Sequence, residues 1–144
     1  MGAIEESTDE ETKKQFDINV FGVLRVIHAV LPYLREQKSG TIANLSSVGG
    51  IHSYPSNGLY CSTKFAIEGI TQALAAEVEP FGIRAMIVEP GYFRTSFLAA
   101  VTGGQNIAKA IAAYDGTIAH EAAANFEKFN GRQLGNPKLG AERI

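Results

Sequence analysis

The chain reads as an α/β protein, and two observations carry that reading. A long apolar stripe at helical spacing precedes a short strand-like run, and the same order then repeats as helix and strand. The second strand-like run, Ile83 to Val88, is apolar apart from Arg84 and lies between Gly82 and Pro90. Such a run suits a strand buried on both faces of a parallel sheet.

Taken in order, Thr8 with Glu11 forms a capping box, and Asp9 and Glu10 suit the positive end of a helix dipole. Phe16, Val20, Val23, Leu24, Ile27, Val30, Leu31 and Leu34 then mark one helical face over about five turns. Pro32 is expected to kink the end of this helix, and Asn19 lies one residue off the stripe, at the edge of its buried face. Ser39-Gly40 is a turn. Thr41 to Ser46 reads as a strand anchored by Ile42 and Leu45. Residues 48 to 58, with Gly49, Gly50, Pro55, Asn57 and Gly58, form a loop.

The next helix runs from Leu59 to Glu79 and ends at Glu79-Pro80-Phe81-Gly82. Its small residues, Ala66, Gly69, Ala73, Ala75 and Ala76, allow close approach either to the sheet or to a partner helix. After the second strand, Pro90-Gly91 frees the backbone to pass close to a planar ring. Thr95 suits an N-cap or a bond to a carboxamide. Residues 99 to 129 are Ala-rich and read as helix. A turn-rich stretch follows, and Asn136-Pro137 is expected to start a last helical piece.

The chemistry centres on Tyr60, Lys64 and Ser47. Positions i and i+4 share a helix face, so the phenol and the ammonium project into the same space. A free tyrosine titrates near about 10, and a neighbouring cation favours its phenolate, so Lys64 is expected to pull Tyr60 down toward working pH. Ligands bind beyond the carboxyl ends of strands in open α/β sheets, and Ser47 falls at such an end. Ser46, on the opposite face, is assigned to backbone capping in the glycine-rich loop.

Four blocks carry a resemblance: Asp17-Ile18-Asn19-Val20-Phe21-Gly22; Gly40 to Gly50 with Ser46-Ser47; Tyr60-Cys61-Ser62-Thr63-Lys64; and Pro90-Gly91-Tyr92-Phe93-Arg94-Thr95. In order and spacing, across about residues 1 to 98, they resemble the short-chain dehydrogenase/reductase family. The resemblance implies a catalytic tetrad of Asn19, Ser47, Tyr60 and Lys64. It implies that Asn19, Tyr60, Lys64, Pro90, Gly91, Phe93 and Thr95 hold NAD or NADP, and that an alcohol and a ketone or aldehyde are interconverted by hydride transfer. It also implies a homo-oligomer paired through the two long helices, and a region after residue 98 that covers a small-molecule substrate, with Phe97, Leu98 and Tyr114 as pocket residues.

The family's phosphate-cradling glycine loop has no counterpart here, since no glycine cluster follows an apolar strand and opens a helix. The expected architecture is therefore the C-terminal part of a Rossmann-like doubly wound parallel sheet, incomplete at both ends. It forms one partial domain over 1–144, with a catalytic segment over 1–98 and a helical substrate-covering region over 99–144. A second reading stays open: without the loop, the chain binds no dinucleotide and serves only as a dimerising partner or an unstable fragment.

Composition narrows the classes further. Hydrophobic content of 45% and charged content of 19% are those of a folded chain. A net charge of −2 gives no footprint for nucleic acid or an acidic membrane. The single cysteine, Cys61, excludes an internal disulfide, fits a reducing compartment and is read as a packing residue. The most apolar stretch, Val20 to Leu31, is broken by Arg25 and His28 and is expected to be too short for a bilayer. With no secretory signal visible, the expected location is the cytoplasm. The histidines lack ligand spacing, so no metal site is expected.

Overall fold

A computed structural model describes residues 1–98 and 110–144. The Thr8 cap forms as its sequence predicts: Glu11 N–H donates to Thr8 Oγ1 and Thr8 N–H donates to Glu11 Oε2. It opens α1 (Asp9–Phe16), which runs through a π-helical turn (Asp17–Phe21) into α2 (Gly22–Gln37). In that turn Gly22 N–H reaches back to the Asp17 carbonyl, five residues away. The wider turn carries Asn19 and interrupts the regular α period that the stripe suggested. Pro32 lies inside α2, and Lys38 closes the helix in the left-handed conformation.

Asp9 to Gln37 thus form one helical run of 29 residues. By length and composition alone it suffices to cross a membrane, which corrects the expectation of a run too short. Its inward face nevertheless has a place in a protein core, through Ile27, Val23, Val30, Leu31 and Leu34.

Strands β1 (Gly40–Leu45) and β2 (Ile83–Val88) pair in parallel, in register from Gly40 opposite Ile83 to Leu45 opposite Val88. Parallel neighbours need a long crossover, supplied here by α3 (Gly58–Val78). Ile27 of α2, Ile42 of β1, Leu74 and Val78 of α3, and Ile83 of β2 close a common core. Burying each such side chain contributes about 1.5–3 kcal/mol. Within it, Asn44 Nδ2 donates to Thr71 Oγ1, which donates in turn to the Ile67 carbonyl, so these buried polar groups are satisfied.

Three of the five small residues of α3 do not serve the sheet, while Ala66 and Ala75 are half-buried. Gly69, Ala73 and Ala76 are exposed, and a Cβ at Gly69 would meet open space. Bulkier Ile67, Leu74 and Val78 face inward instead.

Beyond β2, residues 110–117 depart from the helical reading of 99–129. Residues 99–109 lie outside the described residues. Ala112–Tyr114 form a single 3₁₀ turn, and among the described residues from 110 to 129 α-helix starts at α4 (Ile118–Phe129). Gly116, at φ +70, belongs to the turn between them. A short α5 (Pro137–Ala141) starts under an Asn136 side-chain cap, as expected. The C-terminal region is bound to the segment after β2: Arg94 N–H donates to the Gly135 carbonyl, and Gly135 N–H donates to the Tyr92 carbonyl. Tyr92 also packs its ring against Phe126 and Phe129 of α4.

Candidate active site

Ser46 extends the ladder by one bond, its N–H donating to the Val88 carbonyl, and Ser47 then leaves the sheet edge in an extended conformation. The Ser47 hydroxyl accepts from Gly49 N–H at 3.1 Å. Gly49 has little room to spare: a Cβ there would lie 3.2 Å from Cys61 Sγ and 3.5 Å from the Tyr60 ring. This close approach brings the Ser47 turn against α3 beside Tyr60. The assignment of capping to Ser46 is thereby reversed. Ser47 caps the turn, while the Ser46 hydroxyl is buried with no partner among the described residues.

Tyr60 and Lys64 stand one turn apart on α3. Lys64 Nζ lies 5.7 Å from the Tyr60 ring centroid and donates to the Leu45 carbonyl at 2.8 Å. The Tyr60 pKa is raised, not lowered: burial of the phenol dominates, opposed by a hydrogen bond with the Ser47 hydroxyl. The expected depression by Lys64 is corrected accordingly, because burial of the phenol outweighs it. Lys64 itself is lowered by burial.

Asn19, presented by the π-helical turn, donates its amide to Thr63 Oγ1 at 3.1 Å. Thr63 Oγ1 donates to the Tyr60 carbonyl at 2.7 Å, so Asn19 is tied to the helix turn that carries Tyr60 and Lys64.

Asn19, Ser47, Tyr60, Lys64, Pro90, Gly91, Phe93 and Thr95 all line one cavity of about 510 Å³, a size common for small-molecule sites. Phe97 and Leu98 join them, with the Phe97 ring 5.3 Å from that of Tyr60. Thr95 Oγ1 accepts from Phe97 N–H, which fits the N-cap reading. Tyr114 does not belong to the wall. Its hydroxyl donates to Glu5 at 2.7 Å, on the N-terminal segment, which corrects its placement in the pocket. Sequence reasoning missed Tyr92, Gln133, Pro137 and Ile144, which also line the cavity. Long-range contacts, among them the bridge between Phe93 and Gly135, bring the C-terminal ones there.

The structure also bears on which group this cavity suits. A Cβ at Gly91 would meet nothing within 4 Å, so the backbone there leaves open space, while Pro90 and Phe93 supply apolar walls. These residues fit the flat nicotinamide end of a dinucleotide.

Residues 1–106 match the family model described as short chain dehydrogenase. A 3-ketodihydrosphingosine reductase of Bacteroides thetaiotaomicron is 45% identical over 108 residues, covering 75% of this chain and 39% of the relative. The uncharacterized oxidoreductase YusZ of Bacillus subtilis is 33% identical over 144 residues, 99% of this chain and 51% of its own. Among solved structures, a short-chain dehydrogenase from Streptomyces avermitilis superposes with a TM-score of 0.79 at 35% identity, covering 99% of this chain and 50% of that one. ElxO with NADP bound gives 0.65 at 27% identity, covering 74% and 43%. The chain thus spans about half or less of the length of the curated relatives it matches. With the family model matched over most of its residues, this α/β chain belongs to the short-chain dehydrogenase family.

Proposed function

We propose that the protein is an NAD(P)-dependent oxidoreductase that interconverts an alcohol and a ketone or aldehyde. One observation carries this reading: Asn19, Ser47, and the pair Tyr60 and Lys64, from three separate stretches of sequence, converge on one cavity. NADP in a solved relative supports the cofactor class. When bound, a nicotinamide supplies or accepts the hydride.

The chain's own groups do the rest. Ser47 donates a hydrogen bond to the substrate oxygen and holds it beside the phenol. Tyr60 gives that oxygen a proton in reduction and takes one in oxidation. Lys64 and Tyr60 hold the nicotinamide ribose, and Pro90, Gly91, Phe93 and Thr95 hold the ring and its carboxamide. Asn19 holds a water that relays protons. Desolvation by Phe97 and Leu98 strengthens every electrostatic contact inside.

The non-catalytic alternative loses ground, because an idle remnant has no need of four polar groups gathered in one apolar pocket. In the assembly we assign, copies pair through the outward faces of α2 and α3, where Val26, Phe65, Ala73 and Ala76 are exposed. Buried, unpaired Cys61 suits a reducing cytoplasm. Titration of the folded chain with NADH and NADPH, followed by nicotinamide fluorescence, tests the reading. Saturable enhancement is expected from at least one of them, and none from either would overturn it.

A further inference from the structure

We propose that Gln133 recognises a second, neutral oxygen, a hydroxyl or carbonyl, on an otherwise hydrophobic ketone or alcohol bound in this cavity. The proposal rests on the oxidoreductase reading for the reacting carbonyl; the recognition itself is a property of binding.

Gln133 lines the cavity and is 1% exposed, yet neither its amide oxygen nor its amide nitrogen has a partner among the described residues. A glutamine amide offers two donor hydrogens and an acceptor oxygen, and burying it unpaired is unfavourable. Buried polar groups are ordinarily satisfied, so an orphan in a pocket wall is a vacancy for a ligand group. The main chain holds it in place. Two residues on, Gly135 is clasped between the Tyr92 carbonyl and Arg94 N–H, and a Cβ at Gly135 would lie 2.7 Å from the Tyr92 oxygen.

The surroundings define the ligand. Tyr92, Leu98 and Pro137 make the neighbouring wall apolar. Among the described residues lining the cavity Lys64 is the one cation, donating to the Leu45 carbonyl, and no Asp or Glu side chain lines it. Gln133 is itself uncharged and offers a carboxylate or phosphate no counter-charge. A neutral oxygen would find both a donor and an acceptor. A site built to hydrogen-bond a polar group rejects analogues that lack it.

The test is equilibrium binding by calorimetry, using 2-decanone and its monohydroxylated derivatives with the hydroxyl at successive carbons. The full chain is compared with Gln133→Leu and the closer isostere Gln133→Met, each checked by thermal melt. At least one hydroxyketone should bind the parent chain about tenfold more tightly than 2-decanone, and both variants should abolish that preference. If no derivative is preferred by the parent chain, the proposal is wrong, and this arm needs no variant to fold. Equal preference in a folded variant also overturns it, assigning the amide to an ordered water instead. Turnover with NADH or NADPH is recorded alongside. Preference without turnover defeats the redox reading alone, whereas turnover without preference defeats only the role of Gln133.

Discussion

Lys64 reaches from the second turn of α3 to the end of β1, where its ammonium donates to the Leu45 carbonyl at 2.8 Å. Ser47 begins two residues later. One side chain therefore ties the helix that carries the phenol to the strand end that delivers the hydroxyl. Lys64→Met should remove that tie, lowering stability by about 1 kcal/mol and turnover by about 10²-fold or more. A melt and steady-state kinetics on the same sample check both effects.

Thr63 plays a quieter part. It is fully buried, accepts from Asn19 and donates to the Tyr60 carbonyl. Thr63→Val keeps the shape and strands the Asn19 amide, at a cost of about 1–3 kcal/mol. Thr63→Ser, which keeps the hydroxyl, should recover most of the lost turnover. Equal turnover in the Val and Ser variants would show that the Asn19 contact does not matter.

His120 links α4 to the N-terminal segment, with Nε2 2.6 Å from Glu6 Oε1 and Nδ1 3.1 Å from Asp115 Oδ1. Glu6 Oε1 also accepts from Ile111 N–H, and its Oε2 from Ala3 N–H. With a carboxylate at each ring nitrogen, the doubly protonated imidazolium is favoured. The His120 pKa is accordingly raised, chiefly by its hydrogen bond to Glu6. That of Glu6 is lowered, chiefly by the Ile111 N–H.

The two shifts bound a pH window. The share from His120 is whole below its unfolded value of about 6.5 and is lost as pH rises through the raised folded value. The share from Glu6 is whole above its unfolded value of about 4.3 and is lost as pH falls through the lowered folded value. His120→Ala should therefore lower Tm most near about pH 5.5 and least at alkaline pH. Melts across that range check it; a pH-independent difference would mean the charge on His120 contributes nothing.

Much of this was legible in the sequence because it depends on short-range pattern. The Thr8–Glu11 cap, the α2 stripe, the apolar run of β2 and the Asn136-Pro137 start are local, and each forms where it was read. The eight cavity residues are named by resemblance to the family rather than by local pattern, and they line one cavity. What was hidden depends on long-range contact. The π-helical turn under Asn19 leaves no periodic signature distinct from a regular helix. The resemblance puts Tyr114 in the region that covers the substrate, but a carboxylate over a hundred positions earlier claims its hydroxyl. The reversal of the Tyr60 shift follows from burial, which no spacing rule reports. Gln133 enters the cavity through long-range contacts such as the bridge between Phe93 and Gly135.

The central claim is that the Tyr60 phenol moves the proton. Its most direct test is the rate of ketone-dependent NADH or NADPH oxidation by the chain and by Tyr60→Phe, with matched thermal melts. The account predicts measurable turnover that falls by about 10²–10⁴-fold in the Phe variant while Tm is unchanged. A correctly folded Phe variant that turns over at the parent rate would contradict it.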